Sequence, residues 1–357
     1  MRAPFGYSDA KTSDVARENA KLPTQPSSIM RSFLFLAAAT LVFTGCEGSV
    51  GAPDGTLTLQ TRNALEILPA GSDMAGMVNL QAARQSAIFE DHESPFSPEN
   101  LNGESASRFN DFMQLTGFNP EEDVRRVYMT VSELDGEHNN PAFVVYADFD
   151  RARIDAYLDD NAPAEVTRET YNDTPVYLVA EEDGTFGFGL INDEMAVGGV
   201  QSELYAMIDR VANGANGLSG DAEMMALIER AAHPDGAWFA VREIDNSDDG
   251  PEYSDGPMAG MGQAAQMMGS GVMSFGFEGS EVEMTAVGIP RDNVNVGDVA
   301  DILRGAISLM RTTSQKDNPE MAAMLDGVRV RESSDAVQVQ AVLEPALFEG
   351  MHTEHKH

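Results

Sequence analysis

The chain has 357 residues and carries 58 Asp+Glu against 23 Lys+Arg, a formal net charge of −35, with 42% hydrophobic residues. That apolar content excludes a disordered chain, in which high charge goes with low hydrophobicity. The charge argues against DNA, RNA or an anionic lipid surface as partner, all of which need clustered Lys/Arg, and the one Cys excludes a disulfide framework and a thiolate zinc site.

Residues 1–29 are polar, hold Pro23 and Pro26, and have no place in a targeting signal; Met30-Arg31-Ser32 reads as the natural start, with 1–29 a non-native leader. Residues 30–45 have the form of a secretory signal peptide: Arg31, then the apolar run from Phe33 to Phe43. That run is shorter than the ~20 residues a membrane-spanning helix needs. It ends in Phe43-Thr44-Gly45-Cys46. Small residues before a cut let a peptidase reach the backbone, and a thiol just after it can take a diacylglyceryl group. The four residues resemble a bacterial lipobox, with Phe43 where Leu, Val or Ile is usual. Cys46 is the expected lipidation site. Two or more acyl chains, at ~0.8 kcal/mol per buried methylene, anchor stably where one chain is marginal. The expected partner is therefore a membrane, held through that anchor. The expected place is the bacterial cell envelope, with the body facing the periplasm or the cell exterior. Residues 46–62, small and polar, read as a flexible tether.

Three of the acids and five of the bases precede Cys46, so the chain from Cys46 on has 55 acids and 18 bases, a net of −37. Its only lysines are Lys316 and Lys356. Acid excess with lysine depletion resembles proteins of salt-loving organisms. There the Debye length falls to ~3 Å at 1 M salt and self-repulsion is screened.

A first α+β domain is expected over 63–244. Ala64 to Ala70 is a short element stopped by Pro69, Met74 to Leu80 a strand, and Gln81 to Phe89 a helix. Asp91 to Gly103 is a loop, and Ala106 to Leu115 a helix stopped by Gly117. Val124 to Val131 alternates as a strand, Ala142 to Phe149 is a buried strand, and Asp150 caps a helix to Leu158. Four short strands, 166–171, 176–180, 185–191 and 195–200, form a meander. Leu204 to Val211 and Ala222 to Ala231 are helices, and Ala237 to Ile244 is a strand holding Trp238.

Residues 245–271 read as an acidic, then Met/Gly-rich, linker or lid, and 272–344 as a second α+β unit. That unit has a hairpin (272–277, 282–289), helices at 299–310 and 319–325, and a closing hairpin (328–331, 336–343). Residues 345–357 are a polar tail. The fold expected is α+β: antiparallel sheet with helix pairs packed on one face. The order β-β-α-α-β-β of the C-terminal part is echoed by 185–244, which suggests two related units.

No catalytic signature is present: no Gly-x-Ser-x-Gly, no His-Glu-x-x-His, no phosphate loop. His92, His138 and His233 fall in loops and read as solvated. Asp245, Asp248, Asp249, Glu252 and Asp255 lack the ligand spacing of a calcium loop. No cofactor or metal is expected. In Pro257 to Met273, Met258, Met261, Ala265 and Met268 fall on one helical face. Thioethers suit Cu(I), but Met more often fills irregular apolar surface. Gly260, Gly262, Gly269 and Gly271 each weaken a helix by ~1 kcal/mol. The segment therefore reads as mobile, with Met258, Met261, Met267 and Met268 as candidate apolar contacts.

Leu68-Pro69-Ala70 followed by Met77-Val78-Asn79-Leu80, and Gly117-Phe118-Asn119-Pro120 running to Asp123-Val124, resemble motifs of uncharacterised bacterial envelope lipoproteins. The resemblance covers about 63–344. It implies an α+β envelope body of no established activity and brings no catalytic residue with it. The function expected is a membrane-tethered, non-enzymatic envelope lipoprotein that binds a partner protein or an apolar ligand. The alternative is a lipid-anchored hydrolase-type enzyme whose site is dispersed in sequence.

Overall fold

The computed structural model describes residues 57–86, 103–134, 139–161, 166–181, 184–244, 259–278, 281–317 and 319–343. The leader, the signal peptide, Cys46, the acidic run 245–257, Met258 and the tail 345–357 lie outside the described residues.

Thr58 opens the body by capping α1 (Leu59–Ile67), its hydroxyl accepting the Thr61 N–H at 3.1 Å. Pro69 ends that helix by driving Leu68 to extended backbone, φ −60 and ψ 150. The tether expected over 46–62 is thus shorter, because Leu57 is already buried and 59–62 are helical. β1 (Met74–Asn79) leads into α2 (Leu80–Arg84), which Asn79 caps through the Ala82 N–H. α3 (Gly103–Thr116) and the single turn α4 (Pro120–Asp123) precede the hairpin of β2 (Val124–Ser132) and β3 (Asn140–Ala147). α5 (Arg151–Asn161) crosses to a four-stranded meander: β4 (Val166–Tyr171), β5 (Thr174–Glu181), β6 (Gly184–Asn192) and β7 (Met195–Val200). Its first turn has Asn172 and Asp173 at φ 46 and 62, the left-handed pair that matches the twist of a two-residue hairpin.

α6 (Gln201–Asn213), a 3-10 turn (Leu218–Gly220) and α7 (Ala222–Ile228) lead to β8 (Ala237–Val241). Then come α8 (Ala259–Met267), β9 (Met268–Glu278), β10 (Glu281–Pro290), the long α9 (Val296–Asp317), α10 (Pro319–Leu325), β11 (Arg329–Glu332) and β12 (Val337–Leu343).

Among the described residues twelve strands form one antiparallel sheet, in the order β11-β12-β10-β9-β8-β1-β2-β3-β7-β6-β5-β4. The fold is α+β. Residues expected to divide into a linker and a second unit enter the same sheet, since β9 pairs with β8 from Phe275↔Ala237 to Gly271↔Val241. Asn79, Val124, Ala147 and Met195 share one end of the sheet, here the Val124 end; Met74 and Val131 mark the opposite, Val131 end.

The helices cover both faces, where the sequence predicts one. Side chains alternate along a strand, and neighbouring residues of β7 show the division. Val197 joins Leu204, Met207 and Ile208 of α6, Leu65 of α1, and Met224 and Leu227 of α7 in the main core. Ala196 faces the other way, with Ile154 of α5 and Phe112 of α3. On that second face α8 and α9 pack Ala264, Val299, Ala300 and Leu303 against Met268 and Val337. A strand covered on both sides reads as a continuous apolar run instead of alternating, as Met195–Val200 does. Trp238, Leu65 and Tyr128 are fully buried in the main core, each large apolar side chain contributing about 1.5–3 kcal/mol.

Candidate functional site

At the Val124 end, four loops meet around an open cleft of about 910 Å³. Thr116–Phe118 comes from the end of α3, Asp123 from α4, Asp148–Arg153 and Asp155 from the start of α5, and Asp193 and Glu194 from the β6–β7 turn. The size suits a small organic ligand or a few side chains of a partner.

Local chemistry sets each wall. α3 ends at Gly117, whose φ of +74 suits glycine and whose N–H donates to Met113 O at 2.9 Å. A side chain there would meet the Arg153 guanidinium at 3.1 Å. The Thr116 hydroxyl accepts the Phe118 N–H at 3.1 Å and turns that ring inward. Phe118 stacks on Phe149 at 5.4 Å between centroids, and Phe112 stands edge-on to both Phe118 and Tyr157. The β6–β7 turn is fixed by the Phe149 N–H donating to Asp193 O at 2.8 Å.

The rim is acidic, yet four of its six carboxylates hold the fold together. Asp123 accepts the Asn119 N–H at 2.6 Å. Asp148 pairs with Arg125. Asp150 caps α5 through the Arg153 N–H at 3.1 Å and pairs with the Arg153 side chain at 3.2 Å. Asp155 accepts the Tyr177 hydroxyl at 2.6 Å; burial first, then that bond, pushes the Tyr177 phenol well up from its ordinary value.

The methionines expected as contacts lie elsewhere. Met268 is buried, and Met261 and Met267 pack half-buried against the α8–α9 cluster. The helical face drawn through Ala265 and Met268 is corrected: Ala264 is buried and Ala265 exposed, and α8 stops at Met267, so Met268 opens β9. A side chain at Gly260 would come within 2.8 Å of Ala306 Cβ, and the Met268 sulfur occupies the space above Gly288. The glycines permit close packing. Met258 and the lipidation site Cys46 lie outside the described residues. His233, expected to be solvated, sits over Gly276 with Nε2 3.7 Å from Glu283. Among the described residues no group of His, Cys, Asp and Glu is arranged to hold a metal ion.

Sequence reasoning missed the cleft. Its visible signals are the Gly117 stop followed by Phe118, and Asp148-Phe149-Asp150 after a buried strand; in so acidic a chain the carboxylates do not stand out.

No protein-family model matches the chain, and no curated protein matches it. Among solved structures it is similar to TP0453 in crystal form III, at 10% identity and a TM-score of 0.46 over 80% of this chain and 96% of that one. Crystal form I gives 9% identity and 0.43 over 81% and 96%, and crystal form IV 10% and 0.43 over 85% and 100%.

Proposed function

We propose that this chain is a lipid-anchored protein of the bacterial cell envelope whose body binds a partner without catalysing a reaction. The observation that supports binding is the cleft at the Val124 end, with stacked Phe118 and Phe149 and a rim on which four of six carboxylates are engaged by the protein's own donors. An aromatic floor beneath negative charge suits a protein segment carrying an apolar side chain next to Lys or Arg. In high salt the charge is screened and the rings supply the affinity. The anchor is Cys46, and the acidity adapts the body to a saline medium.

The body is further proposed to consist of two related units. Strands β1–β7 and β8–β12 each begin with a strand, a helical insertion and two more strands. Each then returns through helix so that its last strand pairs with its third. This pairs 74–200 with 237–343, not 185–244 with 272–344.

Two measurements test the function. Mass spectrometry of the N-terminal peptide should find acylated Cys46, and Cys46→Ser should release the protein from membranes. A peptide alternating Arg and Leu should bind the mature body and lose at least tenfold in affinity to Phe118→Ser; equal binding by the variant would refute the cleft as the contact.

A further inference from the structure

We infer that the Val124 end of the sheet is the surface this protein turns toward the bilayer, with Leu59 and Leu115 as its contacts. The inference rests on the lipid anchor at Cys46; the cleft opens at this same end, so the partner segment it takes is one presented at the bilayer surface.

The chain enters the body at that end. Leu57 is buried and fixed, its carbonyl accepting the Arg62 Nε–H at 3.1 Å, while the Thr58 hydroxyl accepts from Arg126 at 3.3 Å. Arg126 is the third residue of β2 from the Val124 end and pairs with Asn79. Leu57 is the eleventh residue after Cys46. A chain of that length reaches at most about 40 Å and, if flexible, averages about 18 Å. The nine residues of β2 span about 30 Å. Loops at the Val131 end therefore lie farther from Leu57, where the tether begins, than the tether's mean length. The last described residue, Leu343, also leaves from the Val124 end, paired with Val282 beside Phe277.

Exposed apolar side chains give an independent indication. Among the described residues the exposed large hydrophobics are Leu59 at 72%, Leu115 at 59%, Val211 and Leu309. Leu59 opens α1 on one face of the sheet, and Leu115 lies in the last turn of α3 on the other, beside Gly117 and Phe118. Side chains on opposite faces meet one plane only if the sheet stands on its end. At the same end Arg125, Arg126 and Arg153 pair with Asp148, Asp235 and Asp150, which leaves Asp123, Asp193 and Glu194 in excess, so the surface that fits is a zwitterionic lipid headgroup layer, not an anionic one.

The test uses the full lipidated protein in phosphatidylcholine vesicles containing a spin-labelled lipid. The Cys46 sulfur is consumed by the anchor, so Leu59→Cys, Leu115→Cys and Ser334→Cys each offer one free thiol for a fluorophore. Ser334 is exposed between β11 and β12 at the Val131 end. Quenching at 59 and 115 should exceed that at 334 several-fold. It should fall when phosphatidylglycerol replaces phosphatidylcholine at low salt and return in molar NaCl. Equal quenching at all three positions, or most at 334, in protein that floats with the vesicles and carries the acyl mass would overturn the orientation. Protein that neither floats nor carries that mass would instead refute the anchor.

Discussion

Replacing Asp221 by Ala should destabilise the protein by about 3 kcal/mol. One carboxylate does three jobs there: it caps α7 through the Met224 N–H at 3.2 Å, accepts the Gly71 N–H at 3.1 Å, and pairs with Arg242. Asp221 is only 12% exposed, Arg242 23%, and the Arg242 Nε is buried without a hydrogen bond. Loss of a cap costs about 1 kcal/mol. Breaking a buried ion pair from one side costs about 3–5 kcal/mol, less here because Arg242 is partly solvated and Glu223 lies 3.8 Å away. The sum is a large share of the about 5–15 kcal/mol typical of a folded domain. Asn at 221 keeps the cap and should cost about half as much. The single tryptophan, Trp238, is fully buried and reports urea unfolding at fixed salt. A shift under about 1 kcal/mol for Asp221→Ala, or additive losses in a double-mutant cycle with Arg242→Met, would refute the reasoning. Acid gives the same answer by another route. Burial disfavours the charged carboxylate, but the Met224 and Gly71 N–H groups and the Arg242 guanidinium outweigh it and hold its pKa below the usual 3.8. The contribution is complete above that value and is lost as pH falls through the lowered one.

A side chain at Gly236 would overlap the Phe275 carbonyl oxygen, so Gly236→Ala should cost at least about 3 kcal/mol, read by the same urea curves. Trp238→Phe should cost less than about 1 kcal/mol, because the indole N–H it removes is buried and unpaired; calorimetry checks this. Burial, then the neighbouring Tyr128, push the Tyr146 phenol up to about 12. Tyrosinate absorbance should show Tyr146 ionising late, with Tyr177 later still, and the stability Tyr146 supplies below pH 10 should vanish as pH climbs toward that value. The melting temperature should rise steadily with NaCl to molar levels; indifference to salt would remove the halophilic interpretation.

Most strands were legible because their signals are local. Asn172 to Pro175 and Asn192-Asp193 punctuate the meander, and Asp150 sits where a cap belongs. The order of strands was not legible, since nothing local in Ala237–Val241 says that it pairs with β1. Two-sided burial was partly visible in the unbroken apolar run of β3. For 259–267 the sequence shows glycine's low helix propensity but not the close approach of Gly260 to Ala306, because that contact is tertiary. The cleft is assembled from loops up to about 80 residues apart, and its acids are camouflaged by the chain's composition.

The pairing of β8 with both β1 and β9 has a mechanical consequence. A protease that cut once between Ile244 and Ala259 would not release two independent bodies. The fragments would stay zipped along Ala237–Val241 and migrate as one particle until denaturant separated them.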